Sequence, residues 1–127
     1  MANTFKIKSN DAMPASAGTP EALYTVQGST TTVVLGLILC NVHSSAVTAS
    51  VKTLSDTTTT EGGVGDVAGT PVANTTTFVV KDVSIPAGSS LEVLSGSKLI
   101  LQTTDSILID CSVTDKISAT LSVVQIT

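Results

Sequence analysis

The chain carries one histidine and two cysteines, and one thiol and the imidazole lie close together, at Cys40 and His43. A thiol within hydrogen-bond reach of an imidazole is a nucleophile beside its base, and a third polar group normally orients the ring. On an extended strand, positions 40 and 43 point to opposite faces. Asn41 would permit a bend. Even so, a lone His beside Ser44 and Ser45 reads as a solvated turn residue, and no orienting group accompanies it. Two cysteines and one histidine also fall short of a tetrahedral zinc set, with no Cys-x-x-Cys spacing between them. The run Gly62-Gly63-Val64-Gly65-Asp66-Val67 approaches a calcium-binding repeat, but Val67 stands where an acid is needed and there is no second copy. The same glycines lack the Gly-Lys-Ser/Thr ending of a phosphate loop, and no helix is expected after them. Asp105, Asp110 and Asp115 recur at intervals of five, with the outer two in turns at opposite ends of one strand. No catalytic, metal or cofactor constellation emerges, so the chain is expected not to be an enzyme.

The elements that would hold such residues are strands. Thr, Val and Ser dominate, β-branched side chains suit a pleated surface, and strong helix formers are scarce. The organising stretch runs from Tyr24 to Thr53. Within it, the run Val33 to Cys40, flanked by Thr30, Thr31 and Thr32, reads as a strand buried on both faces, with Gly36 marking a bulge or a close backbone approach. From Ala46 to Thr53, Val47, Ala49 and Val51 alternate with Thr48, Ser50 and Lys52, so one side faces a core.

At 127 residues one core is feasible, burying roughly 65–70% of the unfolded surface. Aromatic side chains are confined to Phe5, Tyr24 and Phe78, so aliphatic packing must build that core. The net charge is −4, with six lysines and no arginine. Without a bidentate phosphate fork, nucleic-acid binding has little electrostatic basis. The start of the chain lacks a signal-peptide pattern, and Val33 to Cys40 is far short of the ~20 residues that cross a bilayer. A protein made in the cytoplasm, with no membrane partner and with Cys40 and Cys111 as free thiols, is expected.

In order, residues 1–21 read as an extended N-terminal arm. Phe5 and Ile7 alternate there with Lys6 and Lys8 in a pattern suited to a strand added to a sheet edge, a neighbouring subunit's included, with an arm frayed in solution as the equal alternative. Residues 22–127 form the domain. Strands are expected over Ala22–Val26, Thr31–Val42, Ala46–Thr53, Thr75–Val83, Leu91–Leu94, Lys98–Gln102, Ser106–Val113 and Ile117–Ile126, with Ser84–Gly88 a turn. Residues 54–74, with Thr57 to Thr60 and the glycine cluster, make a long loop in which a stable hairpin is doubtful; such loops are usually functional or mobile. About eight short strands with regular turns predict an all-β fold: a single antiparallel β-sandwich or jelly roll.

The segments Leu23-Tyr24-Thr25-Val26, Ser29 to Leu37, Val80 to Leu91 and Ser122 to Thr127 together resemble small β-sandwich virion structural proteins of tailed phages, particularly those of marine and cyanobacterial phages. The likeness covers about Ala22 to Thr127, and the 54–74 loop is expanded relative to the family pattern. It implies a virion component made in the host cytoplasm. Such a component works by repeated contact with the major capsid protein or other virion subunits, and as a homo-oligomer, with a trimer one form it would take. The role expected first is a capsid decoration or cement protein that bridges capsomers. The alternatives are a neck, tail or fibre-base protein, or a carbohydrate-binding module, although few aromatic rings are available for a sugar platform. The residues expected to meet partners are Phe5 and Ile7 in the arm and Thr57, Thr58, Glu61, Gly63 and Asp66 in the loop.

Overall fold

Alternation of apolar and polar residues is carried furthest near the end of the chain. There Ile117, Ala119, Leu121, Val123 and Gln125 are buried and every residue between them is half-buried. This period of two is the signature of a strand with one face on a core. The computed structural model describes residues 2–127 and resolves eleven strands. They are β1 (Asn3–Met13), β2 (Glu21–Thr25), β3 (Thr31–Asn41), β4 (Val47–Leu54), β5 (Thr58–Thr59), β6 (Val72–Ala73), β7 (Thr77–Ile85), β8 (Ser90–Glu92), β9 (Leu99–Leu101), β10 (Ser106–Cys111) and β11 (Ile117–Ile126).

One sheet has the order β1-β11-β3-β8, with β9 also on β3; the second has the order β2-β10-β4-β7; β5 and β6 pair apart. All pairings between strands are antiparallel. From β1 to β4 and again from β7 to β11, the chain crosses from one sheet to the other at each connection except that between β8 and β9, which both lie on β3, while β4 and β7 are neighbours in one sheet. That is the double-sheet jelly roll. The expected all-β sandwich is therefore present, with eleven strands rather than about eight. The excess has two sources. β8 and β9 share one edge of β3, interrupted by the turn that Ser97 closes on Leu94, and β5–β6 lies inside the long loop.

Side chains from the two inner faces form the core, with Val34, Leu37, Leu39, Ile117 and Leu121 meeting Val47, Val51, Ile107 and Ile109. Burying a side chain of this size contributes about 1.5–3 kcal/mol. β3 is not buried on both faces as its composition suggested. Thr32 and Val34 point inward, then Leu37, Leu39 and Asn41 do, while Leu35 and Ile38 are exposed. The register shifts between Val34 and Gly36 opposite β11, so a bulge at Leu35–Gly36 resets the phase. β7 runs on to Ile85, beyond the expected end at Val83, because Ile85 pairs with Val47 and is buried in the core. The turn follows at Pro86–Ser89, where Gly88 takes a φ of 71°.

Candidate functional site

Two parts of the molecule hold the residues expected to meet partners. The first is β1. Of the leader anticipated over residues 1–21, Asn3–Met13 is an edge strand on β11 of its own chain, registered from Asn3↔Ile126 to Met13↔Ile117. Directly paired antiparallel residues share a face. Lys6 lies opposite buried Val123 and Lys8 opposite buried Leu121, so the lysines take the inner side. Phe5 and Ile7 lie opposite Val124 and Ser122 on the outer side, 75% and 67% exposed.

This orientation reverses what hydrophobic burial alone would select, and a bulge sets it. Between Asn10 and Met13 the register shifts, so both Asn10, opposite Ala119, and Met13, opposite Ile117, face inward. The Ala12 amide donates to Asn10 Oδ1 at 2.9 Å across the bulge. A strand running regularly back from Met13 would bring Ile7 and Phe5 inward instead. Bulges recur where a side chain has to be re-aimed.

The register continues the outward row across the sheet. Phe5 pairs with Val124, Val124 with Val33, and Val33 with Ile100. Four apolar side chains thus stand side by side on β1, β11, β3 and β9, over roughly 14 Å at the usual strand spacing. Ile100 is 68% exposed, and Ile7, Leu35 and Ile38 flank the row. Phe5, Ile7 and Ile100 alone leave on the order of 400 Å² of side-chain surface in water, a size that is often functional on a soluble monomer. Around the row most outward positions are Ser, Thr and Asn, namely Asn3, Ser9, Thr31, Ser118, Thr120 and Ser122, and one carboxylate, Glu92, stands opposite Ile38. The row carries no charge. Val33, Val124 and Ile100 were not among the expected contact residues, because each looks like a core position until the pairing is known.

The second part is the long loop. Its base is tied to the body by Asp105, which is buried and accepts hydrogen bonds from Thr57 Oγ1 at 2.8 Å and the Gln102 amide at 2.9 Å. The Asp105 carbonyl accepts from the Val26 amide, joining the β9–β10 turn to the end of β2. Asn74 closes the loop by donating its amide to the Thr57 carbonyl. A short hairpin does form here, in the pairs Thr58↔Ala73 and Thr59↔Val72. Beyond it, residues 61–70 are exposed, with Glu61 and Asp66 on either side of a turn in which the Asp66 amide donates to the Gly63 carbonyl. Thr57 and Thr58 line a groove with Thr31 and Ile126, the residues that continue the outer face one row beyond Val33 and Val124. The loop base and the apolar row therefore border one another at one end of the sandwich.

The remaining chemical candidates lie apart from this surface or carry structural tasks. Cys40 is on the outer face of β3, opposite Ser118 and Ser90, whereas Cys111 is buried on β10 of the other sheet, and both are free thiols. The His43 amide donates to Asn41 Oδ1 in the turn after β3. Asn41 is itself buried, and its Nδ2 donates to the carbonyls of Ser45 and Ile85. Among the described residues, no three or more His, Cys, Asp or Glu side chains are grouped to hold a metal ion.

No protein-family model matches the chain, and no curated protein matches it in sequence. Its fold is similar to that of a chain in the crystal structure of the T13 particle of infectious bursal disease virus. The TM-score is 0.53 at 12% identity, over 97% of this chain and 30% of that one. A chain in the structure of the Gt strain of the same virus aligns with a TM-score of 0.45 at 14% identity, over 99% of this chain and 31% of that one. The chain thus spans less than a third of the length of these neighbours. The fold likeness is to a protein of a viral particle, and that particle is an animal virus rather than a tailed phage.

Proposed function

We propose that this chain is a structural protein of a virion, acting as a capsid decoration or cement protein that bridges neighbouring capsomers and stabilises the outer shell. The observation that carries the reading is the outward apolar row Phe5–Val124–Val33–Ile100 on a jelly-roll sheet. A bulge aims two of the largest apolar side chains of the leader away from the core, which leaves them available to a partner surface. The jelly roll is an architecture shared by viral capsid and lectin domains, so the fold is compatible with several roles, and the surface has to distinguish them. Here the surface is apolar at its centre, with hydroxyl groups and the Glu92 carboxylate around it, the composition of an interface core and its polar rim. The partner in this reading is the major capsid protein, and many weak copies of the contact would act together on a symmetric shell.

The test is binding of the purified chain to expanded phage capsids lacking decoration. Wild-type protein is expected to sediment with the shells and raise their temperature of disruption, and a Phe5→Ser/Ile100→Ser variant to do neither while keeping its own stability. Absence of binding by the wild type, or labelling of intact particles confined to the neck or tail, would sink the decoration role.

A further inference from the structure

The inner side of β1 poses a separate question. Lys6 and Lys8, two of only six lysines in a chain of net charge −4, overhang a cleft of about 430 Å³ at the open edge of the sandwich, between β1 and β2. The cleft is walled by Ala22, Leu23 and Val123, with Tyr24, Gln27 and Gln125 among its polar groups, and none of its lining residues is acidic. The Tyr24 hydroxyl is already engaged, bonded to Thr32 Oγ1 at 2.7 Å and accepting from Gln125 Nε2 at 2.9 Å. The ammonium groups are therefore the charged part of the cleft free to recognise a ligand, and they call for an anion.

The 54–74 loop is a segment of matching chemistry. It holds Asp56, Glu61 and Asp66, all exposed, and no lysine. Its tip also presents Val64 and Val67 to solvent, between and beside the carboxylates. A narrow, glycine-rich tip that is acidic and apolar complements a cleft that is cationic and apolar. The loop joins β4 to β7, and its base is held at Asp105, whose carbonyl accepts from Val26 at the end of β2. Two different surfaces of one subunit that complement each other allow a heterologous, head-to-tail contact between copies, which closes into a ring when the rotation permits.

We propose that copies of this chain associate head to tail, the acidic tip of the 54–74 loop of one copy entering the Lys6–Lys8 cleft of the next. This deepens the structural role proposed above by naming a second copy as one partner, and it uses a surface distinct from the outer apolar row. Inward lysines on a free edge strand also discourage edge-to-edge strand pairing, and the experiment separates that task from docking.

Sedimentation velocity of the full chain at about 100 µM decides it. At 50 mM salt the wild type is expected to run as a closed oligomer, and at 500 mM salt as a monomer, since partly exposed charges are screened within a few Å there. Lys6→Glu/Lys8→Glu and, separately, Glu61→Lys/Asp66→Lys should each weaken association about tenfold or more, from the loss and inversion of paired charges. Combining all four changes should restore it. All four side chains are exposed, so circular dichroism and melting of each variant should match the wild type. A wild type that is monomeric at low salt, swaps that leave the oligomer intact, a combined variant that fails to recover, or lysine swaps that cause aggregation instead of dissociation would each overturn the proposal. Shell binding measured on the same variants keeps the two readings apart: retention by a monomeric variant leaves the outer-face role standing.

Discussion

Deleting Ser9 should make this protein more stable and less able to bind a shell. Ser9 sits on β1 between the bulge at Asn10–Met13 and the Phe5–Lys8 segment, so its removal shifts everything before it by one residue. A one-residue slip exchanges the faces of a strand. Ile7 and Phe5 would then lie opposite Leu121 and Val123, over the cleft, while Lys6 and Lys8 would move into water. Phe5 is now 75% exposed and Ile7 67%. Covering them on one side removes on the order of 200 Å² of apolar surface from water, or roughly 5 kcal/mol at 25 cal/mol per Å². The cleft is open along one side and the unfolded chain already hides part of this area, which brings the expected gain to about 2–4 kcal/mol. With a urea dependence of about 1–3 kcal/mol per molar, the unfolding midpoint should rise by roughly 1 M or more. Equilibrium urea unfolding followed by circular dichroism measures the gain, and co-sedimentation with capsids measures the loss. The control is Phe5→Ser/Ile7→Ser, which should lower binding and leave the midpoint within about 0.3 M. An equal or lower midpoint for the deletion, with native-like circular dichroism, would refute the claim that burial is forgone at these two positions.

Two further substitutions probe what holds the surfaces in place. Thr57→Val removes the hydroxyl that Asp105 accepts; a charge-assisted bond that is half in water should contribute about 1–2 kcal/mol, so amides of residues 58–73 should exchange about 5- to 30-fold faster with little change in global melting. Tyr24→Phe leaves Thr32 and Gln125 without their shared partner in a buried setting, and a destabilisation of about 1–3 kcal/mol is expected in thermal unfolding; Thr32→Val added to it should recover part of that loss.

Sequence patterns reveal this fold wherever the phase of a strand runs unbroken. β11 and β4 keep a period of two, and their inward residues are legible directly from composition. β3 defeats the same reasoning at one place. Val34 and Leu37 both face inward because of the bulge at Leu35–Gly36, so a half-exposed strand looks continuously apolar. Gly36 signals the irregularity, yet a glycine alone does not say that the phase changes. The Asp11–Ala12 bulge has no glycine at all, so the alternation of Phe5 and Ile7 with Lys6 and Lys8 is readable while the side each set takes is not. Val33, Val124 and Ile100 come together only through long-range register, which local pattern does not encode. The lysine cleft is hidden for the same reason, since its walls come from β1, β2 and β11.

The two surfaces differ in the forces they can use, and this bears on how such a chain would assemble. The outer row is uncharged, so its contact free energy comes from apolar burial and responds weakly to ionic strength. The cleft and the loop tip carry opposite charges on flexible or exposed groups, so their contact is steered at long range and weakened by salt. An acidic chain approaching identical copies meets net repulsion except where charges are segregated, and here lysines overhang the cleft while carboxylates extend from the loop. Ionic strength would therefore act on the contact between copies while leaving attachment through the outer face nearly unchanged. The β1 bulge serves both at once, because the same phase shift that turns Phe5 and Ile7 outward places Lys6 and Lys8 over the cleft. Any change that restores the ordinary burial of β1 removes both contacts together, which is why stability and assembly are expected to move in opposite directions at this strand.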